Sequence, residues 1–273
     1  MIQEQTLKLA AVQMEVRTGD LEWNLEHSLE LIRQAAGHQP DLICFPESVL
    51  DGYALELPQL PLLARPLDSG EVQRIAAAAR EHAVWVMWTL AEKTEEGHVA
   101  NSALLFDRQG RLHLHYRKAH LCTEVNEHIA YQYGQDYPVT DLEKGFRAGA
   151  MICFDRHFPE VCRTMRLQGA NLILHPTATD WFTPNPQHIN HAMMRTRAYE
   201  NRCYVLSVNQ VNYGGGSALY SPWGEVLAIA GQEEEILLAE IDHNRLMDHP
   251  ENTFELLPSR RPELYKKLSS QKT

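Results

Sequence analysis

The sequence predicts a layered α/β sandwich, and three observations carry that prediction. Short apolar runs alternate with amphipathic helical stretches. Some neighbouring strands are separated by a helix, whereas others are joined by hairpin-like turns. No internal repeat, linker or charge block interrupts the chain before its polar C-terminal tail. A mixture of βα units and antiparallel hairpins argues for stacked layers rather than an eight-stranded barrel.

Taken in order, residues 7–16 read as a strand. Residues 24–36 read as a helix because Leu25, Leu29, Ile32 and Ala36 recur at helical spacing. A short buried strand over 41–45 ends at Pro46. Residues 69–81 form an Ala-rich helix with a Ser cap, and 83–90 a strand. Residues 101–107 and 112–116 pair as a hairpin whose turn falls at Gln109-Gly110. A strand over 148–154, a helix over 158–168 and a strand over 171–175 follow. A long helix over 186–201 then leads into a strand over 204–209. Strands over 217–220, 226–230 and 236–241 close the pattern.

Composition narrows the function. The 273 residues, 44% of them hydrophobic, are ample for a buried core. Lys+Arg 25 against Asp+Glu 36 gives a net charge of −11. With no basic block, such a chain is a poor partner for nucleic acid or an anionic membrane. The longest apolar stretch, 83–91, has nine residues, against about 20 needed to span a bilayer. The opening MIQEQTLKLAAVQM places Glu4 before its apolar run and has no signal-peptide order. A soluble, cytoplasmic protein is expected.

The five cysteines, Cys44, Cys122, Cys153, Cys162 and Cys203, are scattered without a CxxC pair. Buried thiols in a reducing compartment are their default, with room for one reactive exception. His113 and His115 would share a strand face, and His188 and His191 a helix face. Neither pair stands beside a cluster of ligand spacing, and HExxH is absent, so neither a metal nor an organic cofactor is expected. The GGG at 214–216 lacks a phosphate-loop pattern and reads as a turn.

Three motifs could carry chemistry. In LICFPES, Glu47 follows a buried strand and a Pro that stops it, a place suited to a general base as well as to a solvated loop carboxylate. In LHLHYRKAHL, Lys118 follows a strand. Apolar walls there would depress its pKa or fix it as a cationic donor to an oxyanion; the alternative is a surface cation at a hairpin end. In AGAMICFDRHFPE, Cys153 lies where a strand breaks into a polar turn before a helix near Pro159. The positive end of that helix would favour a thiolate. Cys44, Cys162 and Cys203 sit in apolar or helical runs without such a turn and read as structural.

Taken together and in this order, the three motifs resemble the nitrilase, or carbon–nitrogen hydrolase, superfamily, whose Glu-Lys-Cys triad appears in FPE, YRKxHL and IC(Y/F)Dxx(F/W)PE contexts. The resemblance continues through LAAVQMEVRTGDLEWNL, GANLILHPTA, RAYENRCYVLSVNQ, YSPWGEVLA and EEEILLAEID. It implies a four-layer αββα sandwich that pairs into αββααββα dimers. It also implies one catalytic domain over 1–273, with a tail from about 245 to 273 at the dimer contact. Glu47 would then be the base, Cys153 the nucleophile, and Lys118 with the Phe154 N–H the oxyanion donors. A second carboxylate follows the Lys in many members; Glu124, Glu127 and Glu143 compete, and Glu127 aligns best. Tyr53, Phe154 and Arg156 are the substrate-binding candidates.

Cys153-Phe154-Asp155 resembles the amidase and carbamoylase branch more than the true nitrilases. Arg156-His157 resembles the Arg-rich turn of carbamoyl-amino-acid hydrolases, where an Arg grips a substrate carboxylate; alternatively Arg156 pairs with Glu160 and braces the turn. The expected function is hydrolysis of a small linear amide or N-carbamoyl compound through a thioester. Nitrile hydrolysis by the same triad, a non-enzymatic binding protein on the same scaffold and a His-based metallohydrolase are the alternatives. The loop over 177–186 is expected to set specificity. The apolar spacing of 186–201 and of MDHPENTFELLPSRRPELY predicts a homodimer or higher even oligomer.

Overall fold

The computed structural model describes residues 5–53, 59–180, 184–246 and 255–270. Two six-stranded sheets face one another. The first contains β1 (Thr6–Gln13), β2 (Leu42–Cys44), β3 (Trp85–Lys93), β4 (Val99–Phe106), β5 (Leu112–Arg117) and β12 (Glu235–Asp242), in the order β12-β1-β2-β3-β4-β5. The second contains β6 (Val139–Asp141), β7 (Arg147–Ala150), β8 (Leu172–Thr177), β9 (Tyr204–Asn209), β10 (Ala218–Tyr220) and β11 (Val226–Ile229), in the order β11-β10-β9-β8-β7-β6. Three strands of each sheet run parallel, β1-β2-β3 and β7-β8-β9.

The two-residue period of the strands assigns side chains to layers. From β1, Leu7, Leu9 and Ala11 enter the core between the sheets, while Ala10 and Val12 face outward. That outer face is covered by α1 (Leu21–Ala36) and α3 (Gly70–Glu81), through Leu25, Ile32, Val72 and Ile75. From β8, Leu172 and Leu174 point inward and Ile173 outward, against α5 (Pro159–Leu167) and α6 (Ile189–Asn201). Both faces of the central strands are therefore buried, which is why they read as continuous apolar runs rather than as alternation. The expected αββα layering is observed.

Differences from the sequence reading have local causes. The first helix begins at Leu21 because the Asp20 carboxylate accepts from the Trp23 amide, one turn ahead of the apolar stripe. Ser69 caps α3 at the expected place. The strand expected over 148–154 ends at Ala150, since Cys153 adopts φ +42 and opens a tight 3-10 turn over Cys153–His157. Two short helices, α2 (Gln59–Leu63) and α4 (Glu127–Ala130), and the three-residue β6 were not anticipated. They are too short to show a period. Of the expected specificity loop, 181–183 lie outside the described residues, as do 247–254 and 271–273 of the expected tail. Among the described residues no helix is long and apolar enough to cross a membrane.

The topology brings chemistry to one end. Glu47 lies just beyond β2, Lys118 just beyond β5, Cys153 just beyond β7 and Ala178 just beyond β8. The carboxyl ends of the parallel strands β2, β7 and β8 thus meet that of β5 across the two sheets, a position from which open α/β sheets present ligand sites. Because the inter-sheet core holds this end together, its packing is testable. Leu174→Ala, in the fully buried inner face of β8, should cost about 2–5 kcal/mol in urea denaturation. Leu238→Ala on β12, where the side chain is exposed, should stay within about 0.5 kcal/mol.

Candidate active site

Lys118 is the centre of the cluster. Its Nζ lies 2.9 Å from Glu47 Oε1 and 2.6 Å from Glu127 Oε1, and the ammonium is 1% exposed. Its backbone is fixed on both sides: its N–H donates to the Asn101 carbonyl and its carbonyl accepts from the Gly134 N–H. A Cβ on Gly134 would overlap the Arg117 carbonyl oxygen, so only glycine lets this loop pass so close to the lysine. Burial works against the charge, but Glu47, Cys153 and Glu127 outweigh it and raise the Lys118 pKa. Lys118 is therefore a fixed cation, not the depressed lysine that apolar walls would give.

Glu47 is fully buried and accepts three hydrogen bonds, which leaves one acceptor site on Oε2. Oε1 also accepts from Asn101 Nδ2 at 2.8 Å, and Oε2 accepts from the Ala178 N–H at 2.9 Å. Its carbonyl accepts from Gln210 Nε2. The solvated-loop reading of Glu47 does not hold. Burial raises its pKa, Lys118 opposes that, and Glu127 adds to it, so a proton can reside on this group more readily than on a surface carboxylate. Of the three competing carboxylates, Glu127 alone meets Lys118; it also accepts from Tyr53 Oη (2.8 Å) and from the Cys122 N–H (2.7 Å). Glu124 lies at the cleft rim beside Cys122 and Thr123, and Glu143 pairs with Arg108 and Trp85.

Cys153 sits across from this cluster on the other sheet. Its positive φ turns the chain sharply, strain that a non-glycine residue keeps only where the surroundings enforce it. Asp155 supplies the enforcement. Its Oδ2 accepts from the Ile152 N–H (2.9 Å) and Tyr116 Oη (2.6 Å), and its Oδ1 from the N–H and ring Nδ1 of His120. Tyr116 and His120 flank Lys118 by two residues on either side, so one carboxylate ties the cysteine turn to the lysine strand. From behind, His175 Nε2–H donates to the Cys153 carbonyl at 3.2 Å while its Nδ1 faces Ser207 Oγ. Burial and Arg156 lower the His175 pKa to about 3, which keeps the ring neutral.

The expectation of a thiol activated by a helix N-terminus needs correction. The helix α5 begins at Pro159 as expected, but a 3-10 turn over Cys153–His157 lies between it and the thiol, and Cys153 is 8% exposed. Burial and Glu47 push the thiol pKa up, while Lys118 and Arg156 pull against them. Arg156 does not pair with Glu160, which is exposed. Instead its Nη1 points to Cys153 Sγ at 3.4 Å and its Nε to Asn190 Oδ1 at 3.3 Å. Phe154 follows Cys153 at the start of the turn, where leading N–H groups have no carbonyl within the turn to bond.

A cleft of about 820 Å³ opens onto these groups; Lys118, Cys153, Phe154, Arg156 and Tyr53 all line it, with Cys122 and Glu124 at its side. Tyr53 both borders the cleft and donates to Glu127. Asn101, Asp155, His175 and the Ala178 amide were not singled out from the sequence. Tyr116, Asp155, His175 and Ala178 do lie within the quoted motifs, and that was the available signal.

His157 also lines the cleft, whereas three other histidines serve elsewhere. His113 meets Asp107, His115 meets Glu92, and His191 meets Tyr220. Among the described residues, no three His, Cys, Asp or Glu side chains converge as a metal site would require.

The chain is similar to known proteins along most of its length. The family model described as carbon-nitrogen hydrolase matches residues 8–249. The chain is 34% identical to a protein of Pseudomonas protegens named "Hydrolase in pqqF 5'region", over 97% of this chain and 92% of that one. It is 32% identical to an (R)-stereoselective amidase of a Pseudomonas species, over 88% and 86% of the two chains. A carbon-nitrogen hydrolase from Helicobacter pylori G27 superposes with a TM-score of 0.83 at 25% identity, covering 98% of this chain and 99% of that one.

One buried acid beside the site makes its electrostatics measurable. Asp51, on the loop after Glu47, accepts from the Ala91 N–H, and burial raises its pKa from 3.8 to about 7, with the Glu47 charge adding. Its folded value exceeds the unfolded one, so its contribution to stability is full below pH 3.8 and is lost as pH rises to about 7. Asp51→Asn should therefore be progressively more stable than the parent as pH climbs through that window, read by denaturant midpoints at pH 4, 5.5 and 7.5. A constant difference across the three would contradict the burial account.

Proposed function

The chain belongs to the carbon–nitrogen hydrolase family, and on that premise we propose that it is a cysteine-dependent amidohydrolase in which Cys153 attacks, Lys118 polarises and Glu47 carries the proton. The observation that carries the reading is a buried ammonium held between two carboxylates at the foot of the cleft that also presents Cys153. An amide of small size is the substrate class, in keeping with the amidase relatives.

In the first half-reaction Glu47 accepts the Sγ proton and the sulfur bonds to the carbonyl carbon. The oxyanion is met by Lys118, whose third N–H is not committed to Glu47 or Glu127, and by the Phe154 N–H. The C–N bond then breaks, and the nitrogen leaves as ammonia or an amine with the proton that Glu47 held. In the second half-reaction Glu47 takes a proton from water, hydroxide adds to the thioester carbon, and the acid departs as the thiol is restored. Glu127 and Tyr53 hold Lys118 at a fixed angle throughout.

An N-carbamoyl or other carboxylate-bearing amide is the finer reading. It is supported by Arg156, a guanidinium that lines the cleft and has no carboxylate partner among the described residues. We also read 1–273 as one cytoplasmic domain that pairs as a homodimer. Five unbonded cysteines support a reducing compartment. The exposed Ile189 and Tyr199 on α6, with Leu264 and Leu268 in the tail, support a twofold contact there. Light scattering at micromolar concentration should give a dimer or a higher even oligomer, and a monomer would refute the pairing.

Cys153→Ala should abolish turnover with the circular-dichroism spectrum unchanged, and substantial residual activity would sink the mechanism. Lys118→Ala should lower the rate by about 10²–10³, and by more if the two carboxylates left facing each other disturb the fold. Arg156→Lys should raise KM for carboxylated amides far more than for neutral ones, because Lys lacks the planar fork. Equal effects on both classes would return the reading to simple aliphatic amides.

A further inference from the structure

We infer that Arg156 is a second cationic partner of the Cys153 sulfur, a catalytic residue that stabilises the thiolate itself whether or not the substrate carries a carboxylate. The inference rests on the reading of Cys153 as nucleophile and goes beyond substrate binding.

The turn geometry makes the contact. Cys153 and Arg156 are three apart in a 3-10 turn, in which residues i and i+3 lie above one another. Nη1 of Arg156 thereby stands 3.4 Å from Cys153 Sγ. The side chain is only 3% exposed and is held from behind, with Nε on Asn190 Oδ1 and its own carbonyl accepting from Arg197 Nε at 3.2 Å. A guanidinium buried without a carboxylate partner must be balanced by charges elsewhere in the same site.

A formal charge count shows what it balances. Glu47 and Glu127 bring two negative charges and Lys118 one positive charge, leaving an excess of one negative charge in a buried space. Arg156 cancels it. When the proton passes from Sγ to Glu47, the negative charge moves from a carboxylate held by Lys118 to a sulfur held by Arg156, and the sum stays at zero. Without Arg156 the thiolate would form in a site already negative. The other groups whose charges bear on the sulfur are Lys118, Glu47 and Glu127, with Tyr53 and Tyr213 nearby and neutral His175 behind the Cys153 carbonyl; Glu124, His157 and Asp180 line the same cleft.

The test is alkylation by iodoacetamide, a neutral reagent that no carboxylate clamp would recognise, with the rate on Cys153 followed by peptide mass spectrometry from pH 6 to 10. In Arg156→Met the midpoint of the rate profile should rise by about one pH unit or more, which lowers the rate at pH 7 roughly tenfold. Arg156→Lys should recover most of that loss even where its KM for carboxylated amides is poor. If the Met variant does not fold, Arg156→Gln carries the same comparison. A neutral variant that is labelled with the parent's rate and profile overturns the inference. Failure of the parent itself to label at Cys153 would instead overturn the functional reading beneath it.

Discussion

A fully buried ammonium between two buried carboxylates is the constraint on which the site depends. None of these three groups tolerates burial alone, because an uncompensated ion in a low-dielectric interior costs several kcal/mol. Each therefore fixes the others, and the loops that carry them are fixed in turn. Glu47 is clamped by Asn101 and the Ala178 amide, Lys118 by Asn101 and Gly134, and Glu127 by Tyr53 and the Cys122 amide. The result is a preorganised donor lining the cleft, which suits the oxyanion role proposed for Lys118.

The two sheets contribute opposite halves of the chemistry. Glu47 and Lys118 follow strands of the first sheet, Glu127 opens the helix α4 in the connection between the sheets, and the cysteine follows a strand of the second. Their alignment is kept by a few polar ties across the interface. Asp155 joins the cysteine turn to Tyr116 and His120, and the Ala178 N–H reaches back to Glu47. An apolar core of Leu, Ala and Tyr side chains fills the space beneath. Hydrophobic packing brings the sheets to contact distance, and the polar ties then set their register to the precision that catalysis needs.

Much of this was legible in the sequence where local signals are strong. Strand runs such as 204–209 appear with their expected bounds, and Ser69 announces its helix. Glu47, Lys118 and Cys153 each stand in a motif whose flanks stop a strand, so their positions at strand ends could be read directly. What could not be read were the contacts made only in three dimensions. Asn101 lies inside a strand and gives no local sign of reaching Glu47. Asp155 was visible in its motif, yet its four bonds to Ile152, Tyr116 and His120 depend on the approach of the other sheet. The thiol was expected to be activated by a helix end; the helix does start at Pro159 as read, but a 3-10 turn separates it from Cys153, and burial opposes the charged form. Arg156 was offered Glu160 by sequence spacing and takes the sulfur instead, because the turn winds at three residues rather than 3.6.

The central claim is that the sulfur of Cys153 carries the acyl group between two half-reactions. Intact-protein mass spectrometry after rapid acid quench tests it most directly, with a panel of small amides and N-carbamoyl amino acids as substrates. The account predicts a single acyl adduct during turnover, mapped by peptide digestion to Cys153, labile to hydroxylamine as a thioester must be, and absent in Cys153→Ala. Steady turnover with no adduct on Cys153 under conditions where deacylation is slow, or an adduct on another residue, would contradict it.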